Sequence, residues 1–237
     1  GDSPGSVLYR YMLGLYDFLE RLTKRYPDLL IEGCSGGGGR FDAGMLYYTP
    51  QIWCSDNTDA VDRIRIQYGT SFGYPISAVG SHVSAVPNHQ TGRITPMKTR
   101  GVVAMAGSFG YELNLNAISN EDKKCVREQI DAYHKYWHLI HDGAYYRLTN
   151  PFEPGNMTAW QHVSKDKTES LLSVVVTNLT CNGPQEYIRA KGLLPDALYT
   201  INGGETVYSG SALMNAGLPI DREVPEYTAF QFHIQKK

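Results

Sequence analysis

Asp56 is the first residue with a claim to chemistry. It closes the string Trp53-Cys54-Ser55-Asp56, directly after the short apolar run Gln51-Ile52-Trp53. A run of this kind reads as a buried parallel strand, and the functional residues of parallel sheets gather just beyond the carboxyl ends of the strands. A carboxylate in that place can act as acid, base or nucleophile. The sequence Asp56-Asn57-Thr58-Asp59 also suits a helix N-terminus, so capping competes as the reading of Asp56 and is preferred for Asp59. Upstream, the run Leu29-Leu30-Ile31 leads into Glu32-Gly33-Cys34-Ser35 and then Gly36 to Gly39. Consecutive glycines make a poor helix, and they let a backbone turn with positive φ or approach a ligand closely. A phosphate cradle does not fit, because no Gly-Lys-Ser/Thr follows and no G-x-G-x-x-G opens a helix. The two runs read as neighbouring strands that deliver polar groups to one rim.

Other candidates are weaker. His82 follows the apolar run Ile76–Val79 and reads as the end of a third strand, either a rim residue or a satisfied core histidine. His134, His138 and His141 stand at i, i+4 and i+7 on one expected helix, with Asp131 a turn away. That spacing could hold a metal. Without an H-E-x-x-H pattern they read instead as a solvated or interface stripe, and no metal or cofactor is expected. No G-x-S-x-G elbow supports a Ser-His-Asp triad. Cys34, Cys54, Cys125 and Cys181 are widely spaced with no C-x-x-C pair, which argues against a zinc site and for reduced thiols.

The elements that must position these groups follow from periodicity. Apolar residues from Val7 to Leu22 recur at helical spacing over Ser6–Arg25, and Pro27 ends that helix. A second helix is expected from Thr58 or Asp59 to Tyr68, with Gly69 at its end. Thr99–Ala106 reads as helical, and Phe109, Tyr111, Leu113 and Leu115 alternate as a fourth strand. Ser119-x-x-Asp122 resembles a capping box before a long helix, about Asn120–His141, that Gly143 ends. Successive strands start roughly 20 to 35 residues apart, the rhythm of βα units in a parallel sheet or barrel. Four strands are half of a (β/α)8 barrel. After Gly143, short Val-, Ile-, Tyr- and Thr-rich runs alternate with turn signals such as Asn182-Gly183 and Asn202-Gly203, which indicates an antiparallel β-sandwich. The expected class is α/β plus all-β. Residues 1–143 form the C-terminal half of a barrel and residues 144–237 a β-sandwich, with the change of character near Asp142 to Pro154.

Bulk composition sets the outer limits. The 237 residues are 42% hydrophobic and 19% charged, as expected for a globular chain. A net charge of -2 and a pI near 6.4 argue against nucleic acid or an anionic membrane as partner. No apolar run approaches the roughly 20 residues of a membrane span. No signal peptide is visible, so a cytoplasmic location is expected. The 17 Tyr suit stacking on sugar faces as well as core filling.

The paired strings make the reading specific. Glu32-Gly33-Cys34-Ser35-Gly36-Gly37-Gly38-Gly39-Arg40-Phe41-Asp42, followed by Trp53-Cys54-Ser55-Asp56-Asn57-Thr58-Asp59, resembles the α-galactosidases of glycoside hydrolase family 36. Ser81-His82-Val83-Ser84, Phe109-Gly110-Tyr111-Glu112-Leu113 and the closing β-region are similar too, so the resemblance runs over essentially the whole chain. It implies a (β/α)8 barrel flanked by an N-terminal β-domain and a C-terminal β-sandwich. It also implies retaining hydrolysis of terminal α-galactosyl groups of melibiose, raffinose and related sugars. It puts the acid/base carboxylate on Asp56 and the sugar-contacting loop on Cys34, Ser35, Gly36 and Gly37, with the glycines letting the sugar pack close to the backbone.

One departure limits that reading. The family's nucleophile is an aspartate in a Lys-x-Asp-type motif on an earlier barrel strand. No such motif precedes Leu29; Asp17 falls within the opening helix and Asp28 just before the strand. The expectation is a C-terminal part of such an enzyme, with the acid/base but not the nucleophile, and inactive in isolation. The alternatives are a non-catalytic galactoside-binding or assembly module and, less favoured, a transglycosylase resembling raffinose synthases. Open parallel edges favour association, and the full-length protein is expected to form a homo-oligomer.

Overall fold

The computed structural model describes residues 3–221 and 223–237. Ser3 starts the first helix, its hydroxyl accepting from the Ser6 N–H, with Pro4 in the first turn, where its missing N–H leaves no bond unmade. This helix, α1, runs Pro4–Arg25 and fully buries only Leu19; Val7, Leu8, Tyr9, Tyr11, Leu13 and Phe18 stay exposed.

Four parallel strands follow, with helices between them. The order is β1 (Glu32–Gly33), α2 (Ala43–Tyr48), β2 (Gln51–Ile52), α3 (Ala60–Thr70), β3 (Gly80–Ser84), α4 (Met97–Ala104), β4 (Ser108–Glu112) and α5 (Asn120–Asp142). β1 pairs with β2, Glu32 opposite Gln51 and Gly33 opposite Ile52. β3 pairs with β4 over its whole length. A parallel bridge from Ile52 to Val79 joins the two pairs into one array in chain order. This is a barrel segment; no closed barrel forms among the described residues.

Several elements lie elsewhere than the sequence suggests. Leu29-Leu30-Ile31 stays outside the ladder, and Leu30 is 86% exposed. Among the described residues β1 has a single neighbour, so its pairing is two residues long and its outer edge is open. Ile76–Ala78 is a 3-10 turn, and the third strand begins only at Gly80. Ile76 and Val79 are buried all the same, so the apolarity of this run serves packing rather than pairing. His82 is therefore the middle residue of β3 and not its end. α2 is an element not anticipated from the sequence. Asp42 caps it by accepting from the Met45 N–H at 2.8 Å. α3 takes Asp59 as its cap and runs through Gly69 to Thr70.

The C-terminal region is antiparallel. Its elements are β5 (Ala144–Arg147), β6 (Met157–Val163), β7 (Glu169–Val176), β8 (Tyr187–Ile188), β9 (Leu198–Ile201), β10 (Val207–Ser209), α6 (Gly210–Asn215), β11 (Leu218–Pro219) and β12 (Ala229–Lys236). β5 lies in the stretch where the character of the sequence changes. The main sheet has the order β10-β9-β12-β7-β6-β5, and β8 and β11 form a small second sheet.

Side chains alternate across a strand, and here both faces are covered. Met157, Ala159, Val163, Leu172, Val174 and Val176 pack into the core toward the small sheet. From the other face Trp160 and Val175, with Ala229, meet Ile64, Ile76, Val79, Val102, Val103 and Ala106 of the parallel region. Double coverage explains why every residue of β6 is buried. It also fixes the antiparallel sheet against the helical side of the array, away from the rim beyond β1 and β2.

Candidate active site

The rim is built by two loops that lie backbone on backbone. After β1 the chain turns through Ser35, Gly36, Gly37 and Gly38, all with positive φ (78°, 65°, 72° and 93°). Gly39 N–H closes the turn on the Ser35 carbonyl at 3.1 Å. A β-carbon on Gly37 would sit 2.8 Å from the Asp56 nitrogen, and one on Gly38 would sit 3.0 Å from the Cys54 carbonyl oxygen. These two glycines thus let the two loops lie against each other. Gly36 is different, because a β-carbon there meets nothing within 4 Å. Cys34, Ser35 and Gly36 are exposed, and Gly37 is half-buried against the second loop.

Asp56 lies exposed at that junction. It does not cap α3, a role that falls to Asp59 through the Val61 and Asp62 N–H groups at 2.9 and 3.0 Å. The Trp53 indole N–H donates to Asp56 Oδ1 at 3.1 Å. Trp53 is buried, and its ring is met by the Arg63 guanidinium at 4.7 Å and the His82 ring at 4.7 Å. His82 Nδ1 faces Glu112 Oε2 at 3.8 Å, so β3 and β4 add an imidazole and a carboxylate near the indole.

Below the rim, Arg63 is almost wholly enclosed. It donates to the Ser55 carbonyl at 3.0 Å and to the Gly80 carbonyl, so it ties the Asp56 loop to the start of β3. Burial lowers the guanidinium pKa from its usual range, with the Cys54 thiol and Glu112 opposing. Gln67, one turn on, bonds Ser81 Oγ at 2.6 Å and the Val103 carbonyl at 3.1 Å. Arg93 binds Asp59 and also reaches Asp62 at 3.5 Å. Its own burial lowers its pKa, but Asp59 and then Asp62 outweigh that and raise it.

The other sequence candidates fall away from the rim. His138 Nε2 contacts Glu169 Oε2 at 2.8 Å, and His233 Nε2 contacts Glu169 Oε1 at 2.6 Å, joining α5 to β7 and β12. His141 contacts the Tyr133 hydroxyl and stacks on Trp137. Among the described residues no group of His, Cys, Asp and Glu could hold a metal ion, and all four cysteines are free. No helix of the described residues is long and apolar enough to cross a membrane.

An exposed carboxylate bonded to a buried indole beside a glycine-built turn is a group that can give or take a proton. The Melibiase family model matches residues 2–143, and the model of the glycosyl hydrolase family 36 C-terminal domain matches residues 157–234. The chain belongs to the glycoside hydrolase family 36 α-galactosidases. It is 59% identical over 228 residues to the bifunctional alpha-galactosidase/sucrose kinase AgaSK of Mediterraneibacter gnavus, covering 96% of this chain and 24% of that protein. It is 48% identical to alpha-galactosidase AgaA of Geobacillus stearothermophilus, over 96% of this chain and 31% of that one.

In three dimensions the galactosidase domain of AgaSK superposes with a TM-score of 0.94 at 58% identity, over 97% of this chain and 32% of that structure. An AgaA variant solved with raffinose superposes with a TM-score of 0.93 at 47% identity, over 97% and 32% respectively. The chain thus spans a quarter to a third of the length of these family 36 relatives.

Sequence reasoning missed two residues that hold this family 36 rim. Arg63 was hidden because a charged residue inside a helix reads as solvent-facing; its i+4 partner Gln67 was the available signal. Gln90 lies in the segment Pro87–Pro96, which reads only as a polar loop. Its amide bonds the backbone on both sides of Asn57: Gln90 Nε2 donates to the Asp56 carbonyl at 3.1 Å, and the Thr58 N–H donates to Gln90 Oε1 at 3.2 Å.

Proposed function

We propose that these residues form the proton-transfer side of an α-galactosidase active site, with Asp56 as acid/base. The observation that carries this is the exposed Asp56 carboxylate, bonded to the buried Trp53 indole and carried on a backbone that rests against the Gly37 turn. In the first half-reaction the protonated Asp56 gives its proton to the glycosidic oxygen as the bond from that oxygen to the anomeric carbon breaks. A second carboxylate attacks the anomeric carbon and forms a glycosyl ester. In the second half-reaction Asp56, now ionised, takes a proton from water as the water oxygen bonds the anomeric carbon and the ester is released. Retention of configuration requires the two carboxyl groups about 5–5.5 Å apart. Asp59 caps α3 and binds Arg93, Asp62 accepts from Asn57, and Glu112 faces His82. The chain spans a quarter to a third of its relatives' length, and we assign the attacking carboxylate to the part of the family's barrel that it does not span.

The substrate class is a terminal α-galactosyl group on melibiose- or raffinose-type sugars, a reading supported by the names of the relatives and by the raffinose complex of the AgaA variant. Cys34, Ser35 and Gly36 form the exposed wall that would face the sugar, and Gly37 supports it from behind. The location is the cytoplasm. The division into a barrel segment, 1–143, and a β-sandwich, 144–237, places all of these groups on the first part.

The test uses the complete reading frame that encodes this chain. Asp56→Asn is expected to lower kcat/KM for melibiose by about 10²–10⁴-fold, and unchanged hydrolysis would remove Asp56 from the role. The isolated 237-residue chain is expected not to turn over p-nitrophenyl α-galactoside. Turnover that Asp56→Asn abolishes would show that the second carboxylate lies within it.

A further inference from the structure

We propose that Gln90 is a positioning residue that sets the direction of the Asp56 carboxylate. The inference rests on the reading of Asp56 as acid/base. Among the hydrogen bonds of the described residues, the carboxylate has one partner, Trp53 Nε1. One bond fixes a point and leaves the carboxylate free to swing, so the backbone at residue 56 must do the rest. Gln90 grips that backbone. Its NH2 donates to the Asp56 carbonyl and its oxygen accepts from the Thr58 N–H. A carbonyl can only accept and an N–H can only donate, so this pair defines which end of the amide is which. A carboxylate could satisfy Thr58 but would set an oxygen against the Asp56 carbonyl. Asn is one methylene too short to span both groups.

Gln90 is itself held. Its N–H donates to Asn88 Oδ1 at 2.9 Å, and the buried Asn88 donates to Thr58 Oγ1 at 3.1 Å. Thr91 Oγ1 donates to Asp59 Oδ2 at 2.7 Å, and Arg93 binds the same carboxylate. Four residues of the stretch 88–93 therefore bond Asp56, Thr58 and Asp59, and Gln90 is the contact nearest the proton donor. The side chain is exposed, so replacing it opens no cavity in the core and leaves Asn88, Thr91 and Arg93 to keep the loop folded.

The two effects of losing Gln90, on proton transfer or on the site as a whole, separate by leaving group. In aryl α-galactosides of similar shape, p-nitrophenolate departs with little need of a proton, whereas phenolate and p-methoxyphenolate require one. The experiment measures kcat/KM for all three and for melibiose, in the complete reading frame carrying Gln90→Ala, Gln90→Asn or Gln90→Glu, with Asp56→Asn in parallel. Gln90→Ala is expected to lower kcat/KM about tenfold for melibiose and p-methoxyphenyl galactoside and less than about threefold for p-nitrophenyl galactoside. Gln90→Glu and Gln90→Asn should follow the same order. Equal losses on all four substrates, or none, overturn the positioning role. If Asp56→Asn itself lacks this dependence on leaving group, the acid/base reading fails and the inference falls with it. If Gln90→Ala does not fold, Gln90→Asn and Gln90→Glu decide between the same outcomes.

Discussion

Two mainly apolar runs, one of six residues and one of three, meet opposite fates in this molecule. Leu171 to Val176 lies in β7 with every side chain at most 1% exposed, whereas Leu29-Leu30-Ile31 lies before β1 with Leu30 86% exposed. Composition does not separate them. The difference is in what each run finds beside it. β7 has β6 and β12 as antiparallel neighbours and a core on each face. The run before β1 stays outside the ladder, and β1 itself pairs with one parallel neighbour over two residues. A self-covered sheet acts as the foundation, and the rim that carries Asp56 is the sparsely held part. Functional loops are drawn from the less stable regions of a fold, and the two runs show how that arises locally.

The largest expected effect tests this contrast directly. Leu172→Ala removes a side chain with no exposed surface and leaves a cavity, so it should cost about 3 kcal/mol. Leu30→Ala should change stability by less than about 0.5 kcal/mol. Urea denaturation of the isolated chain measures both. A Leu30→Ala loss as large as that of Leu172→Ala would mean that the exposed run is covered in solution, and the comparison would break.

A second effect comes from the seam between the two regions. His162 on β6 is fully buried, and neither ring nitrogen has a hydrogen-bond partner among the described residues. Burial pushes its pKa down from 6.5 to about 4. The Ala106 backbone, near but outside bonding geometry, opposes this slightly, and His141 adds to it. A depressed histidine pKa means that the folded state favours the neutral ring. Its contribution is complete above pH 6.5 and is lost as the pH falls toward 4, because the unfolded chain takes up the proton first. The loss by pH 4 is about 3 kcal/mol. Glu169, whose pKa is lowered by His138 and His233 against its own burial, also loses stability toward acid. The specific measurement is therefore the difference between the native chain and His162→Phe. The native chain should lose more stability between pH 7 and pH 4.5, and parallel curves would exclude His162 as the cause.

Much of this was legible in the residues. The amphipathic pattern and caps gave α1, α3 and α5 to within a few residues, because local hydrogen bonding decides where a helix starts. Asp56 and the Gly36–Gly39 turn were legible as a pair because polar and glycine residues after apolar runs mark a parallel rim. What stayed hidden depends on distant partners. The displacement of the third strand from Ile76–Val79 to Gly80–Ser84 follows from which residues meet β4, and no local propensity encodes that. Arg63 looked like a solvated helix residue because its acceptors are carbonyls of Ser55 and Gly80, which the sequence does not mark as acceptors. Gln90 is the same case: its ligands are backbone groups of residues more than thirty positions away.

The smallest expected effect sharpens the contrast within the rim itself. Gly36 and Gly37 both have positive φ, 65° and 72°, so alanine at either strains the backbone by about 1 kcal/mol. Their surroundings differ. A β-carbon at Gly36 enters open space, while one at Gly37 lies 2.8 Å from the Asp56 nitrogen and 3.2 Å from Ser55 Cα. Backbone atoms cannot swing aside as a flexible side chain can, so Gly37→Ala must move the Asp56 turn as well as strain its own. Hydrogen exchange over residues 53–58 of the isolated chain reads this. Exchange should quicken in Gly37→Ala and stay near that of the unsubstituted chain in Gly36→Ala, although both lose a similar strain term. Equal exchange in the two variants would mean that the loops do not rest on each other in solution. The glycine turn would then be a freely exposed sugar-facing loop rather than the support on which Asp56 is seated.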